Sequence, residues 1–554
     1  MLYCLREHII GNLHYLTLSA FEKDKTHMKK LSWFFLSIVI LAGCGSPQKN
    51  WALLENRTTI ENQTPFQKHL HRILTEYSSE LPYEKIAITY PYDNTIFPPE
   101  IAAPSITWED FNGDVHEWLL IISFEDSANI FYALSTERRW QPERQAWDWI
   151  KENSKEAIAT ITVLGIDKKD GDKIVSKHSV NFSTSTDSVG ASVFYRQVPL
   201  PFSSDFKKFK WCLGDISSYE KPKVVMEKLG VCASCHVFSS DGQYMSMEMN
   251  YGNDGGAQFI KKVEREIVLT EKDFFSWSSF PRSGILPETR GLFGKMSPSG
   301  RYVVASVNEI SLALITNNPG FSQVFFPTYG ILAYYSTREK EFKSLPGAND
   351  FAYVQANPNW RYDEKYIVYA RAKTKNEVHD DITNVSPKFK DADIHELNEK
   401  YNMQFDLYTI PFNEGRGGTP TPLKGAFNNG MSNYFARYSP DGKWIVFTQS
   451  KTGIMLQPDS QLFIVPSEGG TARKMNCNRK LFNSWHSWSP NGKWLLFSSK
   501  VNSPFTEIFM THIDENGNDS PPVLLSRFSD SEYAANVPEF VNIQPDEINE
   551  IRVQ

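Results

Sequence analysis

The chain has 554 residues, more than a single hydrophobic core accommodates, so we expect two or three domains. Aromatic residues make up 14% of the sequence and hydrophobic residues 41%, a composition that favours an all-β architecture over a helical bundle. The net charge is −7 without any basic block, which argues against a nucleic acid as a partner.

Residues 28–44 have the features of an export signal. A lysine pair follows Met28, and a short apolar run leads to small residues and Cys44. The run is too short for a stable transmembrane anchor, and its end, Leu-Ala-Gly-Cys, resembles the bacterial lipobox, whose cysteine becomes the lipidated first residue of the mature protein. We therefore predict a signal peptide and a lipid on Cys44, with an uncleaved signal anchor as the alternative. Because the signal is complete from Met28, residues 1–27 are interpreted as a mis-called extension.

Two segments follow the signal. Residues 45–83 are polar and are predicted to form a tether with one short helix, because Phe66, Leu70 and Ile73 recur at helical spacing. Residues 84–202 alternate between β-branched or aromatic runs and turn residues, which predicts strands. The number and spacing of these strands predict an immunoglobulin-like β-sandwich.

Three tryptophans stand close together between two of these strands. Trp140, Trp147 and Trp149 belong to a predicted short helix. Exposed tryptophans could stack on sugar rings, whereas buried ones would plug the end of the sandwich or the interface between domains. We favour the plug.

A short unit recurs through the second half of the chain. It consists of an aromatic residue or Met, a turn of the type Ser-Pro-Asp-Gly, a basic or polar residue, an aromatic residue and an apolar strand. Asp241, Asp441 and Asn491 suit turns in which a short polar side chain caps the backbone. Repeats of this size with several strands each are the signature of a β-propeller. The clear copies have their turn glycines at Gly242, Gly300, Gly442 and Gly492, and a degenerate copy has Glu364 in that place.

The unit resembles the repeat of TolB-type β-propellers, which occur in bacterial periplasmic proteins and in relatives of prolyl oligopeptidase. The resemblance covers residues 231–545 and implies a fold without implying an activity. With the lipobox and the predicted sandwich, the layout is similar to that of lipoproteins from Bacteroidetes-like bacteria. We therefore expect an all-β protein, in which an N-terminal immunoglobulin-like β-sandwich precedes a six-bladed TolB-like β-propeller with five visible repeats.

The sixth blade is not visible as a repeat. Residues 535–541 are predicted to close it by pairing with strands near residues 209–212. Residues 203–230 are interpreted as a linker and the entry to the propeller. The charged stretch of residues 373–402 is interpreted as a partly helical insertion over one face.

Cys232-Ala-Ser-Cys235-His236 has the C-x-x-C-H spacing by which a c-type haem is attached. In that chemistry the two thiols form thioethers and His236 is an axial ligand of the iron. Two features weaken the motif: His236 and His486 stand at the same place in their repeats, and the motif continues into a strand. The candidates for a sixth iron ligand are Met245, Met247, Met249 and His486.

Other chemistry remains open for these residues. Alternating methionines are more typical of a buried strand face than of iron ligands. The two cysteines of the motif could instead form disulfides, including with Cys212 or Cys477, or remain thiols. Zinc is less favoured, since a tetrahedral site needs four ligands and the other two thiols are distant in the sequence.

The sequence does not indicate an enzyme, because it contains no G-x-S-x-G elbow, no phosphate loop and no H-E-x-x-H. Two functions remain. The first is a binding or assembly platform for a protein partner, held by its lipid on the outer or inner membrane, at the periplasmic or surface face. The second is a periplasmic electron-transfer protein that carries haem c.

Overall fold

The computed structural model describes residues 38–39, 51–54, 64–78, 81, 83–167, 169, 171–200, 202, 205–284, 286, 288–315, 323–375, 398–399 and 402–554. The lipidation of Cys44 and most of the insertion predicted at residues 373–402 lie outside these ranges. The architecture is all-β, which confirms the predicted class. Among the described residues, no helix is long and apolar enough to cross a membrane.

The N-terminal unit is one hydrogen-bonded network of ten strands. Nine of them follow the order β1-β2-β7-β6-β9-β10-β3-β5-β8, and β4 pairs with β10. An immunoglobulin-like sandwich of two sheets stays a prediction. The strands are β1 Ile38–Val39, β2 Trp51–Leu54, β3 Glu84–Tyr90, β4 Thr95–Phe97, β5 Ile106–Asp110, β6 Glu117–Phe124, β7 Ser127–Ser135, β8 Arg139–Trp140, β9 Ala159–Asp167 and β10 Lys173–Thr184.

Helix α1 (Pro65–Glu76) covers one face of this network. It forms over the stretch in which apolar spacing predicted a helix, and Thr64 and Gln67 cap its first turn reciprocally. Its apolar stripe, with Leu70 and Ile73, packs with buried side chains of β6, β7, β9 and β10. The helix is held by this burial more than by its own propensity.

Helix α2 (Arg144–Asn153) lies at the other face and carries Trp147 and Trp149, whereas Trp140, which was predicted in the same helix, lies in strand β8. Trp147 is fully buried, and its indole N–H donates to the Ile101 carbonyl at 2.9 Å. Trp140 and Trp149 pack against the same hydrophobic cluster, which continues into the last sheet of the chain. The three rings contact Phe97, Phe124 and Phe131, so they pack into the N-terminal unit and do not form an exposed stacking surface. In the described ranges, five short 3₁₀ helices cover Phe206–Lys208, Glu271–Asp273, Trp277–Ser279, Asn413–Gly415 and Ser526–Phe528.

The rest of the described chain forms six four-stranded antiparallel sheets and a parallel pair, β17 Glu266–Leu269 with β36 Glu550–Val553. The sheets are sheet 1 (β11 Ser192–Pro199, β12 Lys210–Gly214, β13 Lys223–Glu227, β35 Tyr533–Val541), sheet 2 (β14 Ala233–Phe238, β15 Tyr244–Met249, β16 Ala257–Lys262, β18 Phe274–Ser276), sheet 3 (β19 Leu292–Met296, β20 Tyr302–Ile315, β21 Gln323–Ser336, β22 Glu341–Ser344), sheet 4 (β23 Tyr353–Trp360, β24 Tyr366–Lys373, β25 Asp406–Pro411, β26 Thr421–Pro422), sheet 5 (β27 Ser432–Tyr438, β28 Trp444–Ser450, β29 Gln461–Pro466, β30 Arg473–Lys474) and sheet 6 (β31 Asn483–Trp488, β32 Trp494–Ser499, β33 Glu507–His512, β34 Val523–Leu524).

Sheets 2 to 6 contact one another in chain order through their first strands. Strand β35 of sheet 1 contacts both β31 of sheet 6 and β14 of sheet 2, so the contacts run around all six sheets. Strand β35 comes from the C-terminal end of the chain and joins strands of residues 192–227, which ties the two ends of this half together.

The boundary of this half differs from the predicted one. Residues 193–198 were assigned to the sandwich, and residues 203–230 to a linker. Instead, β11, β12 and β13 form sheet 1, and β35 pairs directly with β11. The predicted partner near residues 209–212, strand β12, lies one strand further away. An apolar strand pattern does not identify its neighbour, because pairing over more than 300 residues depends on packing and not on local propensity.

The repeat turns have the predicted conformation. Gly242, Gly300, Gly442 and Gly492 have φ values between 70° and 73°, in the left-handed region that favours glycine. In the third of these turns, the Ser439 hydroxyl donates to Asp441 and accepts from the Trp444 amide. The predicted backbone caps are confirmed, since Asp241, Asp441 and Asn491 each accept the backbone N–H two residues later.

Candidate functional site

A cavity of about 690 Å³ lies where the six sheets meet. Its walls come from β14, β19, β23, β27 and β31, the first strands of sheets 2 to 6, and from the closing strand β35. A second cavity of about 320 Å³ lies beside it. Lys295, Asn359 and Arg437 line both cavities, so these three side chains stand between the larger and the smaller space.

Six strands of the wall, β14, β19, β23, β27, β31 and β35, are bulged at the same place. The pairing register shifts in all six, three residues before the aromatic residue or Met that begins the repeat turn, or its equivalent in β35. A bulge leaves one residue unpaired and re-aims its side chain. The residues at this position all line the larger cavity: Cys235, Phe293, Asn357, Phe435, Trp485 and Val537.

Five of these six residues have a left-handed backbone. Phe293, Asn357, Phe435, Trp485 and Val537 have φ values between 51° and 59°. This conformation costs about 1–3 kcal/mol for a residue other than glycine and persists only where surrounding structure imposes it. Because this costly backbone conformation recurs at five positions around the same cavity, the cavity is a distinctive feature of the fold.

One part of the wall is aromatic. The Phe293 ring lies 6.0 Å from Phe325 and 5.8 Å from Phe435, centroid to centroid, with edge contacts in both pairs. Trp485 makes an edge contact with Phe482 at 5.2 Å. This wall offers flat, apolar surface to a ligand.

Two cationic side chains stand where the larger and the smaller cavity meet. Lys295 and Arg437 occupy the same repeat position, directly before Met296 and Tyr438. Neither side chain donates a hydrogen bond to a described residue. Burial and then the neighbouring Arg437 guanidinium lower the pKa of Lys295. The pair is therefore close enough for mutual repulsion in a poorly solvated space.

Two further polar side chains of the wall are almost fully buried. Arg196 is 4% exposed; one of its terminal nitrogens donates to the Ala233 carbonyl at 3.0 Å, and its Nε has no partner among the described residues. Asn357 is 5% exposed, and neither its amide oxygen nor its amide nitrogen has a partner in the described chain. Buried polar atoms are normally paired, so these atoms need an explanation.

The buried carboxylates are placed differently. Glu248 accepts hydrogen bonds from the Ser234 hydroxyl and the Gly294 amide, both at 2.7 Å, and so links sheet 2 to sheet 3. Burial raises its pKa. Glu539 lines only the smaller cavity, and burial raises its pKa also.

The structure separates the C-x-x-C-H residues. Cys232 and Cys235 line the larger cavity, where burial raises the pKa of both thiols, that of Cys235 to about 11. The His236 imidazole is fully buried against the Phe194 ring at 4.7 Å and lines neither cavity among the residues described. These residues, in this arrangement, do not fit a haem whose iron is bound by His236. Covalent haem at the two cysteines stays a prediction from the sequence motif.

The candidates for a sixth ligand are dispersed. Met245, Met247 and Met249 are all buried in the core between sheets 1 and 2, as expected for a buried strand face, and Met249 also lines the larger cavity. His486 also lines the larger cavity, but its Nε2 lies 2.9 Å from the Val446 carbonyl. No group of three or more possible metal ligands occurs in the described part of the chain.

The four cysteines that the structure describes are free thiols. Cys212 and Cys477 are buried in two different hydrophobic clusters, and neither lines the cavity of Cys232 and Cys235. The disulfides that the sequence left open are therefore not formed here.

Sequence reasoning missed Arg196, Lys295, Asn357 and Arg437. A signal existed for two of them, because a cationic residue directly before the repeat aromatic or Met stands out when the units are aligned. No sequence signal indicated Asn357, because its position at the cavity depends on a bulge that the sequence pattern does not predict.

No protein-family profile matches the chain, and no curated protein matches it. Among solved structures, the chain is similar to TolB from Acinetobacter baumannii, at 11% identity and a TM-score of 0.39 over 69% of this chain and 79% of that one. It is also similar to a putative TolB from Agrobacterium tumefaciens, at 13% identity and a TM-score of 0.34 over 64% and 99%. A putative 6-phosphogluconolactonase from Bacteroides fragilis gives 13% identity and a TM-score of 0.29 over 78% and 100%.

Proposed function

We propose that this protein is a binding platform of the cell envelope, in which sheets 1 to 6 are the blades of a six-bladed β-propeller and the larger central cavity receives the partner. In this proposal a lipid on Cys44 holds the platform on a membrane. The partner is an envelope protein. Either a segment of this partner or part of a group bound to it enters the cavity.

One observation carries the proposal. Five non-glycine residues adopt the left-handed conformation at equivalent positions, and all five side chains face one cavity. Strain of this kind is tolerated where it serves a site. A binding site is indicated where residues with strained backbones from several blades direct their side chains into one cavity. In a merely structural core, these residues would adopt regular strand conformations.

The N-terminal unit supports this role by contacting sheet 6 from outside the cavity. Asp187 lies between β10 and β11, where its carboxylate is 2.8 Å from His512 Nε2 and its carbonyl accepts from the Trp494 indole at 2.9 Å. Both partners belong to sheet 6. No described residue of 84–191 lines the larger cavity. This unit therefore contacts the assembly of sheets 1 to 6 without contributing residues to the site.

Photo-crosslinking in the native envelope tests the proposal. A photoreactive phenylalanine analogue replaces Phe293 in the cavity or, as the matched control, Phe111, which is 80% exposed on the N-terminal unit. We expect a discrete adduct of higher mass from position 293 and none from position 111. No adduct from position 293, or the same adduct from both positions, contradicts the proposal.

The alternative of a haem-carrying electron-transfer protein is less favoured. Its two thioether positions share the cavity, but His236 faces the core between sheets 1 and 2. It remains testable by direct haem detection.

A further inference from the structure

The larger cavity has a surplus of hydrogen-bond donors. Lys295 and Arg437 donate to no described residue, and the Arg196 Nε and the Asn357 amide nitrogen have no partner in the described chain. All four side chains line this cavity. Donors that stay unpaired in a buried space are destabilising, so a ligand that supplies acceptors would be stabilised there.

The carboxylates near the same cavity are engaged or lie outside it, and the unpaired acceptors of its wall are the neutral amide oxygens of Asn250 and Asn357. Both oxygens of Glu248 accept protein hydrogen bonds. Glu288 lies at an exposed position, where it forms an ion pair with Arg282 at 3.2 Å. Glu539 faces the smaller cavity, with its Oε2 3.8 Å from His236 Nε2. Among the described residues, Lys295 and Arg437 therefore have no carboxylate within ion-pair distance, although Glu539 shares the smaller cavity with them and attracts both at longer range.

The apolar part of the wall completes the pattern. Phe293, Phe435 and Trp485 come from three different sheets, and each presents its ring to the same space as the cations. A volume of about 690 Å³ lies within the usual range for small-molecule sites. The cavity is larger than an inorganic anion needs. If the ligand had no apolar part, much of the cavity wall would make no contact with it.

We propose that the cavity binds an organic anion, a carboxylate or a phosphate ester, whose charged group is held by Lys295, Arg437 and Asn357 and whose apolar body lies on Phe293, Phe435 and Trp485. The inference rests on the proposed function, since it names the chemistry of the partner's group that enters the cavity. The anion would offset the repulsion between the two cations, which adds to the effect of burial in lowering the pKa of Lys295 in the free protein.

Calorimetric titration of the full chain, carrying Cys44→Ser so that no detergent is needed, tests the inference. The probes are octanoate, octyl phosphate, acetate, octanol and octyltrimethylammonium. We expect octanoate or octyl phosphate to bind at least ten-fold more tightly than acetate and octanol, and the cation not to bind. The tighter of the two anions identifies the preferred charged group.

Substitutions then assign the binding to these residues. Lys295→Met with Arg437→Met should weaken the anion at least ten-fold and leave octanol unchanged, whereas Trp485→Ala should weaken both probes. Lys272→Met, at an exposed position outside the cavity, is the matched control and should change nothing. Circular dichroism and the melting temperature establish that each variant folds.

Three outcomes overturn the inference. One is octanol binding as tightly as both anions to the wild-type chain, a comparison that needs no variant. Another is unchanged anion affinity in a folded Lys295→Met, Arg437→Met variant. Absence of binding by every probe also overturns it, while crosslinking at position 293 still tests the proposed function separately.

Discussion

His236 Nε2 lies 3.8 Å from Glu539 Oε2, and both side chains are buried. The two residues come from β14 and β35, which contact each other where sheet 1 meets sheet 2. Burial lowers the pKa of the imidazole and raises that of the carboxyl. His236 thus belongs to the packing that closes the ring of sheets, on the side of β14 that faces away from the two cysteine thiols.

The first prediction concerns covalent haem. Because His236 is enclosed by Phe194 and Glu539, it is not available as an axial ligand in the folded chain. We expect protein from a host with cytochrome c assembly machinery to be colourless, with an intact mass equal to that of the polypeptide with its lipid. The measurement is mass spectrometry with a pyridine haemochrome assay.

The variant Cys232→Ala with Cys235→Ala serves as the control for that measurement, because it lacks both attachment points. An added mass of one haem and a Soret band that survives denaturation, present in the wild type and absent from the variant, would establish haem attachment and reverse the expectation.

A second prediction concerns acid stability through His486. Burial lowers its pKa from 6.5 to about 3, so the unfolded chain binds a proton there that the folded chain does not. Stability is therefore lost as the pH falls from 6.5 towards 3, by roughly 2–3 kcal/mol between pH 6.5 and 4.5. His486→Gln keeps a donor for the Val446 carbonyl and should remove this part of the acid loss.

The check is urea denaturation of both proteins at pH 7 and at pH 4.5. Exposed His71→Gln, on α1, is the control and should behave as wild type. An identical loss of unfolding free energy in the wild type and in His486→Gln would show that His486 does not contribute to acid sensitivity.

A third prediction concerns the repeat turn. Gly492 has a φ of 70°, and a Cβ there would lie 3.3 Å from the Pro440 ring. Gly492→Val should lower the free energy of unfolding by about 1–3 kcal/mol, the scale for strained backbone positions. Gly113→Val, where a Cβ meets open space and φ is outside the left-handed region, should lower it much less. Equal melting temperatures for the two variants would refute the role assigned to the turn.

A fourth prediction concerns the membrane anchor. Cys44→Ser should abolish labelling by a radioactive fatty acid and release the protein from membranes, because the thiol is the attachment point for the lipid. Cys232→Ser removes a free cysteine without touching the lipobox and should change neither result. Membrane retention of Cys44→Ser after washing without detergent contradicts lipid anchoring.

Features that depend on a few neighbouring residues could be predicted from the sequence. The repeat turn forms within six residues through the hydroxyl of Ser439, the carboxylate of Asp441 and the positive φ of Gly442. The turn can therefore be predicted from these neighbouring residues alone. The helix at Pro65–Glu76 follows from equally local apolar spacing. The same locality made the all-β class predictable.

Only the tertiary structure decided how distant strands meet and which way their side chains face. Strand β35 pairs with β11 across more than 300 residues, and no local pattern distinguishes β11 from β12 as its partner. Successive side chains of a strand point to opposite faces, so Cys235 and His236 separate although they are adjacent. Bulges bring Lys295, Asn357 and Arg437 to one cavity, because the orientation of a side chain there depends on packing against neighbouring sheets and not on residue type.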